Sequence, residues 1–324
     1  MKEKQERLNP MRLIGAVAAA ALVVLTLWVG GADRVWSLLT SVRPFELAVA
    51  ASAAAGSLVM RGLRLSLLLP PGVLKPLRAV PVAAVAQAAA LFVPARVGEL
   101  ALPWLLRRDS GRDGAAGIAT LLAARTLDTA ALGAWAGAAI IFRHGLNAPL
   151  ALAAALGLLL PLVLVPMTVT TIDAFVCRRE SAWGEKGALW ANRVHRIREG
   201  LDEARRSPGR LIGAGLACLT SWAFQWTLAW WLLAAMGFRW PIWDVVTGSA
   251  VASLSNLLPF NLVANFGTLE AGWTAAFAAM GVPLNLAAAT GLATHIWALI
   301  FAAVFGALAW FTLGRKKGDH RKPI

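Results

Sequence analysis

The chain has 324 residues, of which 58% are hydrophobic and only 15% are charged. Several apolar runs reach the roughly 20 residues of a membrane-spanning helix, which excludes a soluble domain and predicts an integral membrane protein. The net charge of +14 is carried mainly between those runs, which indicates membrane orientation rather than nucleic-acid binding. Cys177 and Cys218 lack metal-ligand spacing, so we interpret them as buried small hydrophobes.

The predicted fold is all-α, a polytopic membrane domain covering residues 1–324. It has about six full transmembrane helices and two broken stretches. The spans are predicted at residues 13–31, 44–60, 115–142, 148–176, 210–236 and 284–313. The first is interpreted as an uncleaved span, because its apolar run exceeds the roughly 7–15 residues of a signal-peptide core.

Two further apolar stretches, residues 79–106 and 242–280, are each broken by a proline followed by a glycine. The breaking residues are Pro94 and Gly98 in the first, and Pro259 and Gly267 in the second. Because they interrupt backbone hydrogen bonds that lipid cannot replace, such segments belong inside protein or beside a water-filled cavity. Each stretch is either a re-entrant hairpin or an ordinary pair of crossing helices, and the breaks favour the hairpin.

The basic residues predict how the spans are oriented. Most of the 31 Lys and Arg residues lie in five groups. These groups precede the first span, follow the second span, follow the first broken stretch, fill a loop at 178–210 and form the C-terminal tail. Arg61 and Arg64 belong to the group after the second span. One topology places all these groups in the cytoplasm of a bacterial inner membrane, with both termini inside. The loop is expected to contain a short surface helix at 191–204 and to be attracted to anionic headgroups, rather than to bind a specific partner.

This topology contains an internal symmetry. The two predicted repeats are residues 44–142 and 210–313. Each consists of a span, a broken stretch and a second span, and the two run in opposite directions. Glu99 precedes Arg125 by 26 residues, and Glu270 precedes His295 by 25. Many secondary transporters use inverted repeats with paired discontinuous segments around one shared binding site.

Ionisable and amide side chains at or after the breaks are the candidate substrate-binding residues. They are Arg96, Glu99, Arg125, Asp128, Asn256, Asn265, Glu270 and His295. Charges at this depth cost roughly 2.5–3.5 kcal/mol each, so their presence favours a functional cavity. Arg125 and Asp128 share a helix face, which also fits an internal ion pair that only locks helices together.

The remaining candidates also have other interpretations. Arg96 suits either Glu99 or a phosphate, and both side chains also fit a position at the cytoplasmic interface. Glu270 fits a polar cavity or a solvated outer loop. His295 fits helix packing as well as a site, although a histidine can exchange a proton in the physiological range. The pattern predicts no metal, no cofactor and no enzyme activity.

Several short motifs follow one another along the chain. They are Arg61-Gly-Leu-Arg-Leu65, Pro94-x-Arg96-x-Gly98-Glu99, Leu105-Leu-Arg-Arg108, Arg125-x-x-Asp128, Leu258-Pro259 and Gly267-x-x-Glu270. In order and spacing they resemble the flippase-like membrane domain of the lysylphosphatidylglycerol synthases, a family that includes stand-alone and hopanoid-biosynthesis-associated membrane proteins. His295 departs from the resemblance, which implies an arginine there, as does the Asn-rich stretch before Gly267. Without the soluble aminoacyl-transferring domain, no lysyl-lipid synthesis is expected.

These features together predict a flippase-like transporter that moves a lipid with an anionic polar headgroup between leaflets. The basic candidates would neutralise a phosphate-like group, while the acidic candidates would pair with them or take up a proton. A membrane-embedded transferase and a non-transporting accessory subunit of lipid or envelope biosynthesis are the alternatives. The accessory role predicts interior charges that satisfy one another, with no cavity between them.

Overall fold

The computed structural model describes residues 21–93, 97–145, 148–254 and 266–315. In chain order the elements are α1 (Ala21–Gly30), α2 (Ala32–Thr40), α3 (Pro44–Leu68), α4 (Pro76–Phe92), a 3-10 helix (Val97–Leu100), α5 (Ala101–Ser110), α6 (Gly114–His144), α7 (Ala148–Arg205), α8 (Pro208–Ala235), α9 (Ile242–Leu254), α10 (Thr268–Ala279) and α11 (Leu284–Arg315). Every element in the described ranges is helical, which confirms the all-α prediction.

Five helical segments are long and apolar enough to cross a membrane. They are Pro44–Leu68, Gly114–Phe142, Leu159–Arg179, Pro208–Ala235 and Leu284–Gly314. They overlap five of the predicted spans and confirm a polytopic membrane protein. The other predicted span, 13–31, is described from residue 21 onward, where α1 and α2 meet at an angle of 79°. Gly31 forms this bend with a φ of 77°, which glycine adopts without strain.

Helix α3 continues well past residue 60, where the second span is predicted to end. The charge pattern places Arg61 and Arg64 in a cytoplasmic loop, and the structure corrects this assignment. Both arginines lie inside the helix, which ends only at Leu68. Their side chains are 12% and 8% exposed, respectively, so they belong to the interior of the protein.

Helix α3 packs antiparallel against α8 along the centre of the molecule. The Ser57 hydroxyl donates to the carbonyl of Ser221 at 3.1 Å in the middle of the pair. At one end, Arg210 donates to the carbonyl of Leu69 at 2.6 Å and so satisfies backbone groups where α3 stops. The two helices therefore run in opposite directions, as the predicted orientation of their spans requires.

The segment predicted as a basic loop at 178–210 is mostly helical. Helix α7 runs to Arg205 and turns sharply at Gly184, whose φ of 61° and ψ of −146° are not helical. Beyond the turn the chain folds back along the span, because Arg198 donates to the buried Asp173 at 2.9 Å. The predicted surface helix at 191–204 is thus part of a longer helix held by ion pairs.

The start of α6 is fixed by its N-cap residue, Asp113. Its carboxylate accepts hydrogen bonds from the backbone N–H groups of Ala115 and Ala116, and an ion pair from Arg196 at 2.7 Å. Burial on its own would raise the pKa of Asp113, but these donors outweigh burial and lower that pKa below its usual range. The folded-back part of α7 therefore also stabilises the N-terminus of α6.

The first broken stretch forms a hairpin of α4, the 3-10 helix and α5. Helix α4 has 17 residues, about 26 Å of helix, which is less than the roughly 30 Å hydrocarbon core. Arg78 at its start binds Asp109 at the end of α5 at 2.7 Å, so the hairpin returns to the end of the bundle where it began. Gly98 permits the tight return, since a Cβ there would lie 2.0 Å from the carbonyl oxygen of Ala89.

The second broken stretch forms a hairpin of α9 and α10, with 13 and 12 residues. Trp240 before α9 contacts Phe277 near the end of α10, with ring centroids 4.9 Å apart. This hairpin returns next to the start of α11, since the Val282 N–H donates to the Phe277 carbonyl at 3.0 Å. Arg78 of the first hairpin instead lies near the end of α11, 3.3 Å from the carbonyl of Leu313. The two hairpins thus enter from opposite ends of the bundle.

Candidate functional site

A cavity of about 310 Å³ lies between the two hairpins. Helices α3, α6, α8 and α11 form its walls, and both hairpins reach it. Val93 and Glu99 line it on either side of the first break, and Ser253 and Leu269 on either side of the second. The described residues beside each predicted break therefore face one common space.

Asp128 is the central counter-ion of a charge cluster on one side of this cavity. Its Oδ1 atom accepts a hydrogen bond from Nη1 of Arg64 at 2.5 Å, and Nη1 of Arg61 lies 3.9 Å away. Arg125, one helical turn earlier in α6, is 3.8 Å from Oδ2. The indole N–H of Trp222 also donates to Asp128 at 3.3 Å. One carboxylate is therefore shared by three guanidinium groups.

Glu99 is the second carboxylate of this cluster. It follows the first break and accepts a hydrogen bond from Nε of Arg125 at 3.1 Å. The Arg125 side chain is 43% exposed although it lies within an apolar helix, so the cavity is accessible there. Three arginines and two carboxylates leave this wall with one unneutralised positive charge at neutral pH.

Glu270 and His295 form a separate pair on the other side of the cavity. The carboxylate Oε1 contacts Nδ1 of the imidazole, and Oε2 accepts the N–H of Gly267 at 2.6 Å. That second bond caps the start of α10, which holds Glu270 in a fixed orientation. Glu270 is 1% exposed and His295 6%. The Phe266 ring lies against the imidazole at 4.8 Å.

The structure brings together the predicted residues that it describes. Glu99 meets Arg125, Glu270 meets His295, and Arg125 lies beside Asp128. Gly98 lies at the return of the first hairpin and Gly267 precedes α10. Arg96, Asn256, Asn265, Pro94 and Pro259 lie outside the described residues.

Sequence reasoning missed Arg61 and Arg64 as members of the site. Their spacing of three puts both on one helix face, and the apolar run that follows them up to Leu69 was the available signal that the helix continues. Cys218 is buried, as predicted, but its sulfur also makes a polar contact, 3.2 Å from Nη1 of Arg64. Cys177 was predicted to be buried as well, and this is wrong, because it is exposed. Trp222 gave no sequence signal beyond being apolar.

The fold and the site define a class: polytopic helical membrane proteins with paired hairpins and ionisable residues buried around a central cavity. Within that class the family is shown by sequence. Residues 12–306 match the family described as the lysylphosphatidylglycerol synthase TM region, and the chain belongs to that family. Comparison with curated proteins gives no match, and neither does comparison with solved structures.

Proposed function

We propose that this protein is a flippase-like transporter that moves a lipid with an anionic polar headgroup between the leaflets of a bacterial inner membrane. The observation that carries the proposal is the excess positive charge of the arginine cluster on the wall of the central cavity. Membership of a lipid-related membrane family supports it. Charge is expensive at this depth, so three arginines around one carboxylate favour an anionic ligand.

The geometry suits a phosphate-like group. Arg64 makes the short contact to Asp128, while Arg61 and Arg125 lie 3.9 and 3.8 Å from it and retain unused donors. A guanidinium group carries five N–H donors in a planar fork that matches the oxygens of phosphate. A cavity of about 310 Å³ is at the small end of ligand pockets, so it suits a headgroup whose acyl chains stay in the bilayer.

The arrangement of the hairpins supports alternating access. We infer that α3 to α6 and α8 to α11 act as inverted repeats, because their hairpins enter from opposite ends and meet at one cavity. Rocking of one repeat against the other would expose that cavity to each leaflet in turn. An accessory subunit would instead have balanced interior charges without a cavity between them, and the cluster around Asp128 does not fit that pattern.

The test is leaflet transfer by purified protein in vesicles. The probe is a fluorescent phosphatidylglycerol, and dithionite quenching measures the fraction of the probe in the outer leaflet. A fluorescent phosphatidylcholine tests whether transfer requires a net negative charge on the lipid. Arg125→Ala is expected to slow transfer by about 10- to 100-fold, because a hydrogen bond to a charged group contributes about 1.5–3 kcal/mol. Arg43→Ala removes an arginine that is 53% exposed and away from the cavity, and should leave the rate unchanged.

Two results would contradict the proposal. The first is wild-type vesicles that transfer the anionic probe no faster than protein-free vesicles. The second is Arg125→Ala transferring it at the wild-type rate while folded, as judged by its thermal unfolding.

A further inference from the structure

A second, smaller cavity of about 90 Å³ adjoins the central one between α8, α9, α10 and α11. His295 lines both cavities, and so does Gln225. His295, whose imidazole contacts Glu270, therefore lies at the boundary between the two spaces, together with five other residues that line both. The smaller space is called the side chamber below.

The side chamber is lined by buried polar atoms without hydrogen-bond partners among the described residues. They are Nε1 of Trp226, Oγ of Ser249, Nε1 of Trp273 and Oγ1 of Thr294. Each such atom left dry costs about 1–3 kcal/mol. A volume of about 90 Å³ has room for about three water molecules at ~30 Å³ each. We therefore infer that the side chamber is hydrated.

The Glu270–His295 pair depends on a single proton. Between Arg239 and Arg315 the sequence has no other basic residue than His295, and between Asp244 and Asp319 no other acidic residue than Glu270. With one proton the pair is neutral overall, either as carboxylate with imidazolium or as carboxylic acid with imidazole. Removal of that proton leaves a buried carboxylate without a counter-charge, which is strongly unfavourable.

The other charged groups facing the pair lie across the central cavity. They are Arg61 on α3, Glu99 in the 3-10 helix, and Arg125 and Asp128 on α6. These four groups balance one another, but Arg64 behind them also binds Asp128. The cluster with Arg64 therefore carries one net positive charge, which disfavours a proton on the pair. An anionic headgroup bound to the arginines would cancel that charge and favour protonation, so anion and proton would bind cooperatively.

We propose that the Glu270–His295 pair is a proton-binding site that takes up one proton through the water of the side chamber and moves it together with the anionic lipid. The proton enters from water on one side, is held as an O–H of Glu270 or an N–H of His295, and is released to water on the other side, so no bond between heavy atoms changes. The inference rests on the transport function proposed above. Its new content is that a proton gradient drives the lipid in the same direction as the proton.

The experiment uses vesicles containing the wild-type protein and the fluorescent phosphatidylglycerol, with a pH difference of one unit and the voltage clamped by potassium and valinomycin. For one proton per lipid, the probe is expected to accumulate about 10-fold in the leaflet facing the alkaline side. Co-movement gives this result for either orientation of the protein in the vesicle.

Three variants and one control place the effect at the pair and the side chamber. Glu270→Gln and His295→Arg should both abolish the accumulation, the second because arginine keeps a permanent charge and stores no exchangeable proton. Glu46→Gln, a carboxylate on α3 paired with Arg43, should retain it. Thr294→Val keeps the side-chain shape but removes a chamber hydroxyl, and should slow the approach to the final distribution.

The outcomes separate this inference from the transport function. Wild-type protein that transfers the probe but leaves it evenly distributed under the gradient would overturn proton coupling while transport stands. Absence of any transfer would overturn the transport function itself. If Glu270→Gln does not fold, the wild-type gradient response and His295→Arg still decide the matter, because accumulation by a folded His295→Arg variant would also refute the pair as the proton site.

Discussion

Asp128 should matter more for stability than any one of its arginine partners. At an effective dielectric constant of about 20, Arg64 at 2.5 Å attracts Asp128 by about 7 kcal/mol, and Arg61 and Arg125 at 3.9 and 3.8 Å by about 4 kcal/mol each. These are gross attractions, most of which the desolvation of the buried charges offsets. Losing Arg64 therefore leaves Asp128 more than half compensated, whereas losing Asp128 removes all three attractions at once and leaves only the contact of Arg125 with Glu99.

The prediction compares the free energies of unfolding of two variants, Arg64→Met and Asp128→Asn. Breaking a buried ion pair typically costs about 3–5 kcal/mol, and we expect Arg64→Met near about 3 kcal/mol because two guanidinium groups remain near the carboxylate. Asp128→Asn leaves three arginines without their shared partner and should cost about 5 kcal/mol or more. That is a large part of a total stability of about 5–15 kcal/mol.

Unfolding of the purified protein in mixed micelles, followed by tryptophan fluorescence across an SDS titration, measures both free energies. The control is Arg43→Met, which breaks a 3.6 Å ion pair between Glu46 and an Arg43 side chain that is 53% exposed, and it should cost less than about 1 kcal/mol. If Asp128→Asn costs no more than Arg64→Met, the view of Asp128 as a shared counter-ion is wrong.

Two further predictions concern local structure, and the same fluorescence measurement checks both. Gly98→Ala should destabilise the protein by about 1–3 kcal/mol, because its Cβ would clash with the Ala89 carbonyl. The control is Gly215→Ala in α8, where the added Cβ meets open space and should stabilise the protein by up to about 1 kcal/mol. Equal effects of the two substitutions would contradict the packing argument. Asp113→Ala should lower the free energy of unfolding by about 1 kcal/mol through loss of the α6 cap. The folded-state pKa of Asp113 is lowered, so the wild-type cap should keep its full stabilising effect above about pH 4. That effect should be lost only as the pH falls through the lowered pKa.

The sequence could indicate some residue contacts in the site because chain connectivity brings them together. A broken stretch that returns to its own side of the membrane places the residue after the break beside the next span. Glu99 and Arg125, 26 residues apart, meet in this way, and so do Glu270 and His295, 25 residues apart. The apolar spans, the basic residues that flank them and the two Pro/Gly breaks were sufficient for this inference, although the prolines themselves lie outside the described residues.

Contacts between distant helices could not be inferred in the same way. Arg64 and Asp128 are 64 residues apart, and their contact depends on how α3 packs against α6, which no local pattern specifies. The positive-inside rule also pointed away from this contact, because basic residues after an apolar run usually mark a cytoplasmic loop. In α7 the turn at Gly184 reverses the chain, but a glycine in a helical pattern does not say in which direction the next helix will run.

The two sides of the cavity differ in how their charge responds to protons. Arginine stays protonated under all physiological conditions, so the positive charge of Arg61, Arg64 and Arg125 does not change with pH. The Glu270–His295 pair holds its charge balance only while it keeps one proton. Because Arg61, Arg125 and His295 line one cavity, an anion bound on one side would change the cost of a proton on the other, and linkage would make that effect reciprocal. A site built from two arginine clusters would lack this property. Under the proposed coupling, the histidine is therefore the residue that would make transport sensitive to the proton gradient, and the two hairpins matter because they let the two unlike halves share one cavity.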